Sequence, residues 1–148
     1  MTTFFESDYR ALVIGASGAI GRAFVSALQQ DVRCVHLEQM SRSQGGGFDL
    51  LDESSVADQA RARSGAGPYH LIVDATGVLT IDGVGPEKSL AALKPDLLAK
   101  AFALNAMGPI LALRHFAPLL APGPCTYAKL SARVGSITNN HKGGWYGY

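Results

Sequence analysis

Ala11-Leu12-Val13-Ile14-Gly15-Ala16-Ser17-Gly18-Ala19-Ile20-Gly21 is the stretch that decides the fold. An uncharged apolar run enters three glycines spaced three apart. Ile20, Ala23, Phe24, Ala27 and Leu28 then fall on one helical face. The pattern predicts a strand over Ala11–Gly15, a glycine turn, and an amphipathic helix over Ala19–Gln30. Strand, turn and helix in that order are the context a dinucleotide phosphate needs. Gly15 permits the tight turn, Gly18 removes a side chain where a pyrophosphate approaches, and Gly21 lets the helix pack close to the strand. With Ser17, Ala19 and Ile20 these glycines form the expected phosphate loop, faced by the first N–H groups and positive dipole end of the helix. A strand-to-helix turn with no ligand has the same spacing. The position of the motif at the head of an alternating pattern favours binding.

That alternation continues along the chain. Further strand-like runs are Arg33–Leu37, His70–Ala75 and Cys125–Leu130, and further helix-like runs are Ser54–Arg63 and a long one from about Lys94 to His115. Apolar strands alternating with helices imply a parallel sheet covered on both faces, an α/β doubly wound, Rossmann-like fold. The expected strand order is 3-2-1-4-5 with Ala11–Gly15 central. Gln44-Gly45-Gly46-Gly47 and Ser64-Gly65-Ala66-Gly67-Pro68 read as loops, and neither a repeat nor an interdomain linker is evident.

The 148 residues suffice for one domain, and 47 % apolar content allows a substantial core. A formal net charge of +1 gives no global electrostatic reason to expect nucleic acid or an acidic membrane as partner. Cys34 and Cys125 sit in apolar runs and read as buried small hydrophobes. They form no disulfide framework, and His36, His70, His115 and His141 lack metal spacing. Met1–Arg10 has no apolar core of a signal peptide, and no apolar run approaches the ~18 residues of a membrane span. A cytoplasmic location is the expectation.

Two places in the second half carry further signals. Asn105-Ala106-Met107-Gly108-Pro109 lies inside the long helical run, where a proline deletes one hydrogen bond. Either the helix breaks there, or Asn105 or its carbonyl is turned toward a site. Ser131 to Tyr148 follows the last strand and therefore emerges at the carboxyl edge of the sheet, where ligands bind in such folds.

Together these segments resemble the short-chain dehydrogenase/reductase family, in particular its C-factor and sniffer-like carbonyl reductases. Gly15–Gly21 looks like the family's cofactor loop. Asp74-Ala75-Thr76-Gly77 is similar to its Asn-Asn-Ala-Gly element, here without asparagine and with Asp and Thr. Asp49-Leu50 looks like the pair that meets adenine, and Asn105 occupies the place of the helix asparagine. Gly143-Gly144-Trp145-Tyr146-Gly147-Tyr148 resembles the approach to the catalytic Tyr-x-x-x-Lys, so that Tyr148 matches the catalytic tyrosine.

The resemblance implies NAD or NADP as cofactor, with Ala75, Thr76 and Gly77 beside it. It implies a small carbonyl or secondary alcohol substrate and a homo-oligomer. In the family the tyrosine exchanges a proton with the substrate oxygen while hydride moves to or from the nicotinamide. Because a phenol titrates near pH ~10, it needs a neighbouring cation. The family's lysine would fall four positions after Tyr148, so the chain reads as the N-terminal portion of a domain and is expected to be inactive as it stands. The serine of the family's Ser-x-x-Gly element is replaced by Ala132, which leaves Ser131 and Ser136 as alternatives.

Cofactor choice turns on the end of the second strand. Glu38 follows Gly21 by 17 residues and fits a carboxylate that binds ribose hydroxyls and repels a 2′-phosphate, favouring NAD. Arg42 would instead pair with that phosphate, and the Ser41-Arg42 pair resembles the carbonyl-reductase pattern, favouring NADP. Two functions remain open at this level: an oxidoreductase, and a catalytically silent nucleotide-binding or interaction protein.

Overall fold

The computed structural model describes residues 5, 7–43 and 47–148. Four parallel strands form one sheet in the order β2-β1-β3-β4. They are β1 (Tyr9–Ile14), β2 (Cys34–Met40), β3 (Leu71–Asp74) and β4 (Thr126–Lys129). β1 is internal, as its apolar run requires: Ala11 to Ile14 have no solvent exposure.

Side chains alternate across the sheet and sort into two cores. Leu12, Ile14, Met40 and Ile72 pack with Val56 and Ala60 of α2 (Glu53–Ala62) and with Ala112 and Phe116 of α4 (Gly108–Phe116). On the opposite face Ala11, Val13 and Val73 pack with Val25 and Leu28 of α1 (Ala19–Gln30). The result is the three-layer, Rossmann-like α/β fold expected from the alternation.

Several boundaries and faces differ from the sequence expectation. The outer strand of the five-strand order is not present among the described residues: the segment at 47–49 is irregular and leads into a turn, while Gln44, Gly45 and Gly46 lie outside the described residues. Met1–Phe4 and Glu6, which entered the signal-peptide reading, lie outside them too. α1 buries Gly21, Val25 and Leu28 and leaves Ile20 59 % exposed, so its inner face is rotated from the predicted one. The reason is Gly21, which without a side chain sits against the glycine turn and sets the helix's rotation. The cysteines are half-buried rather than buried, and both are free thiols.

The long helical run does not break at Pro109. It passes from α3 (Pro95–Phe102) through a π-helical turn at Ala103–Met107 into α4, then into a 3₁₀ turn ending at Leu119. The widened turn absorbs the residue whose N–H is missing, so the helix continues. No uninterrupted apolar run reaches the length of a membrane span, yet the continuous helix Pro95–Leu119, 25 residues long, contains an 18-residue window with a mean hydropathy of 1.4, apolar enough by length and composition for one. The fold uses that apolarity on one side: Ala101, Gly108, Pro109, Ala112 and Phe116 are buried, while Phe102, Met107, Ile110 and Leu113 are exposed.

Candidate functional site

The glycine turn is built by backbone contacts. Gly15 has φ +83°, and its N–H and that of Ala16 donate to the Met40 carbonyl at 2.7 and 3.0 Å. A Cβ at Gly15 would lie 2.9 Å from the Ala75 carbonyl carbon, and one at Gly21 only 2.1 Å from the Gly15 oxygen. Gly15 and Gly21 are thus fixed by packing, whereas a Cβ at Gly18 meets only the Gly15 oxygen at 3.4 Å. Gly18 caps α1 with no side-chain hydrogen bond, and the first turn holds no acidic residue. The N-terminal N–H groups are left facing a site suited to an anion.

In front of this turn lies a cleft of about 160 Å³ across the carboxyl ends of β2, β1 and β3. Of the expected cofactor residues, Gly15, Ser17, Gly18, Arg42, Asp49, Leu50, Ala75, Thr76 and Gly77 line it. Ala19, Ile20 and Gly21 do not; Gly21 is a packing residue and Ile20 faces solvent. Sequence reasoning missed Phe48, Val78 and Leu104 as lining residues, and Ser41 entered it only beside Arg42. Phe48 and Val78 adjoin motifs that were recognised; nothing local marks Leu104.

Glu38 is placed elsewhere, which corrects its assignment to the cofactor ribose. It pairs with Leu12 in mid-strand, two residues short of the end of β2. Its carboxylate accepts from the Tyr69 hydroxyl at 2.6 Å and lies 3.5 Å from Arg63 Nε. Burial and this carboxylate push the Tyr69 phenol well above its usual range. Arg42, by contrast, stands past the end of β2, exposed and without an ion pair among the described residues.

Asn105 lies in the π-helical turn and clamps the loop after β3. Its Oδ1 accepts from Val78 N at 2.8 Å and its Nδ2 donates to Val78 O at 2.9 Å. The helix is therefore unbroken, and the asparagine side chain is turned to the Val78 backbone in the loop after β3. Pro109 has no N–H to offer the Asn105 carbonyl in an α-helical turn.

A second cavity, of about 450 Å³, has Val78 in common with the first as a lining residue. Its walls include Leu79, Ile81, Val84 and Leu97, and both Asn105 and Tyr148 line it. The tail reaches it through backbone bonds: Trp145 N donates to the Glu87 carbonyl at 2.6 Å, and Gly147 N to Glu87 Oε2 at 3.4 Å. Tyr148 packs edge-on against Trp145. Neither serine lines either cavity. Ser131 is exposed, and Ser136 Oγ accepts from Asn139 Nδ2 at 3.2 Å in the turn that follows. Neither takes the place expected of it among the cavity-lining residues: Ser131 precedes and Ser136 follows the 3₁₀ turn at Arg133–Gly135.

No family model matches the chain. A curated dehydrogenase of Rhodococcus sp. (strain AD45), acting by its name on 1-hydroxy-2-glutathionyl-2-methyl-3-butene, is 30 % identical over 103 residues. That alignment covers 69 % of this chain and 42 % of the relative, so the chain matches less than half of its length. Among solved structures, a Burkholderia multivorans protein provisionally described as a short-chain dehydrogenase/reductase, with bound NADP, has a TM-score of 0.80 at 19 % identity, covering 95 % of this chain and 66 % of that one. A Caenorhabditis elegans protein provisionally described as the carbonyl reductase Sniffer gives 0.78 at 18 %, covering 93 % and 68 %. A short-chain dehydrogenase of Burkholderia cenocepacia J2315 in complex with NADP gives 0.71 at 17 %, covering 88 % and 55 %. At these identities the likeness establishes the fold: the chain has the Rossmann-like fold of the short-chain dehydrogenases.

Proposed function

We propose that the chain is the cofactor-binding portion of a short-chain dehydrogenase/reductase that takes NADP(H) and acts on a small carbonyl compound or secondary alcohol. One observation carries the reading. An anion-ready glycine turn, Arg42 and the Ala75–Gly77 loop share a cleft, and Val78 of its wall also lines a neighbouring cavity that holds Asn105 and Tyr148 among apolar residues and the charged Glu87, Lys88 and Lys94. The donor set fits the group: an uncapped helix N-terminus for the pyrophosphate and a guanidinium able to grip a 2′-phosphate bidentately. The NADP bound in two of the neighbouring structures supports the same choice.

When bound, the nicotinamide supplies or accepts the hydride. Tyr148 holds or moves the proton at the substrate oxygen through its phenolic Oη. Asn105 fixes the loop at Val78 and so keeps the two cavities in register. Val78, Leu79, Ile81, Val84 and Leu97 exclude water from an apolar substrate body. The family resemblance implies a lysine as the cation that would assist this proton transfer. The exposed stripe of Phe102, Met107, Ile110 and Leu113 is the face a second copy would cover.

Calorimetric titration of the 148-residue chain with NADPH and NADH tests the cofactor reading; binding of neither refutes it. Nicotinamide absorbance then follows a carbonyl panel with a chain extended through the lysine. Turnover lost in Tyr148→Phe supports the chemistry. Binding without any turnover in the extended chain favours a silent nucleotide-binding protein.

A further inference from the structure

We propose that Lys129 is a positioning residue for the cofactor: its ammonium neutralises the buried Asp74 carboxylate and holds the Ala75–Gly77 loop in its binding shape. The inference rests on the cofactor reading above. Asp74 ends β3 with no solvent exposure, so its charge must be met inside the protein. Its Oδ1 accepts from Thr76 N at 2.9 Å, Thr76 Oγ1 at 2.5 Å and Lys129 Nζ at 3.2 Å. The Tyr127 hydroxyl lies 3.4 Å from Oδ2, and burial beside this carboxylate pushes the Tyr127 phenol upward. Lys129 Nζ also donates to the Thr76 carbonyl at 2.6 Å and to Thr76 Oγ1 at 2.9 Å. The threonine hydroxyl donates to Asp74 and accepts from Lys129, so the network is internally consistent.

Thr76 is the link to function, because it lines the cofactor cleft. The loop is gripped from two sides: by Lys129 of β4 at Thr76, and by Asn105 at Val78. A buried pair that loses one member leaves an uncompensated charge. Here that charge would be a carboxylate beside a cleft that must receive phosphates, and like charges repel. Lys129 thus acts on the ligand in two ways, by shape and by sign.

The test separates charge from packing by isothermal titration of NADPH into the folded 148-residue chain, with thermal melts alongside. Lys129→Met keeps the side-chain volume and removes the charge; it should weaken NADPH about tenfold or more, the scale of a charge-assisted contact. Lys129→Arg keeps the charge and should bind within about threefold of wild type. The neutral pair Asp74→Asn/Lys129→Met should recover affinity to within about threefold. A merely structural side chain would rank Met at or above Arg, and that ranking overturns the role. So does a double variant as weak as Lys129→Met. If Lys129→Met does not fold, folded and tightly binding Lys129→Arg and double variants support the role, and failure of both to fold or bind overturns it. Wild-type binding with Lys129→Met unchanged overturns this role alone. Absence of NADPH and NADH binding by the wild type overturns the cofactor reading and this role with it.

Discussion

At Gly21 a Cβ atom would lie 2.1 Å from the Gly15 carbonyl oxygen, a contact to backbone that cannot swing away. Gly21→Ala should therefore cost about 1–3 kcal/mol of stability, the scale of overpacking, read as a lowered Tm. Gly18 differs: its φ is −70° and its Cβ has room. Gly18→Ala should leave the melt nearly unchanged, while Gly18→Val should weaken NADPH by blocking the approach to the helix N-terminus. Arg42 and Glu38 divide in the same way. Arg42→Ala should weaken NADPH by about 1.5–3 kcal/mol, as expected for hydrogen bonds to a charged group, and leave NADH unchanged. Glu38→Gln should not alter the ratio of the two affinities, because its carboxylate faces Tyr69 and Arg63. Titration of both variants with both cofactors checks the pair; a cofactor switch in Glu38→Gln would return the choice to that residue.

At the scale of elements, two junctions tie the fold together, one at the amino ends of β1 and β2 and one beside the cleft at the carboxyl ends. The turn from α1 into β2 is held by Asp31, whose carboxylate accepts from Arg33 Nε at 2.9 Å and Nη2 at 2.6 Å and from the Tyr9 hydroxyl at 3.0 Å. The Arg33 hydrogen bonds, ahead of the opposing effect of burial, hold the Asp31 pKa at about 2, below its usual 3.8. A carboxyl depressed on folding contributes stability above its unfolded pKa and loses it as pH falls through the folded value. Acid melts should therefore show a decline between about pH 4 and 2 that is reduced in Asp31→Asn. A wild-type slope retained in that variant would assign the acid sensitivity to other carboxyls. The second junction is Asn105 with Val78. Asn105→Ala leaves the Val78 N–H and carbonyl without their partner and should weaken NADPH while costing about 1–3 kcal/mol in the melt.

For the whole molecule, the parallel sheet has a core on each face, and the long helix has an unburied apolar side. Phe102, Met107, Ile110 and Leu113 are 60, 53, 67 and 42 % exposed. This is the side on which the proposed self-association would rest. Sedimentation velocity should find a self-associated chain that Ile110→Lys shifts toward monomer without lowering its Tm. A wild type that stays monomeric at high concentration removes the homo-oligomer reading. Phe116, on the opposite side of the same helix, has no exposure. Phe116→Ala should cost about 3–5 kcal/mol in the melt, the range for a buried aromatic truncated to alanine.

The sequence by itself determined the alternation of strands and helices. Apolar runs with no charge must be covered on both faces, and glycines at 15 and 21 must stand where backbone meets backbone, so β1, the turn, α1 and the parallel layering were legible locally. Also legible were the cleft residues past strand ends, Arg42 and Ala75 to Gly77, and Asp49 in the irregular segment before α2. Tertiary structure decided the rest, because it depends on distances between residues far apart in the chain. Spacing after Gly21 pointed to Glu38, but the length of β2 places it in mid-strand beneath Tyr69 and leaves Arg42 past the strand end. The rotation of α1 followed from a close contact at Gly21, not from the spacing of its apolar residues. Pro109 left open a helix break or a turned Asn105; a π-helical turn carries the helix through and places Asn105 at Val78. Lys129 carried no local signal at all: an isolated lysine in a strand acquires its meaning only when β3 and β4 pair and bring a buried carboxylate within 3.2 Å.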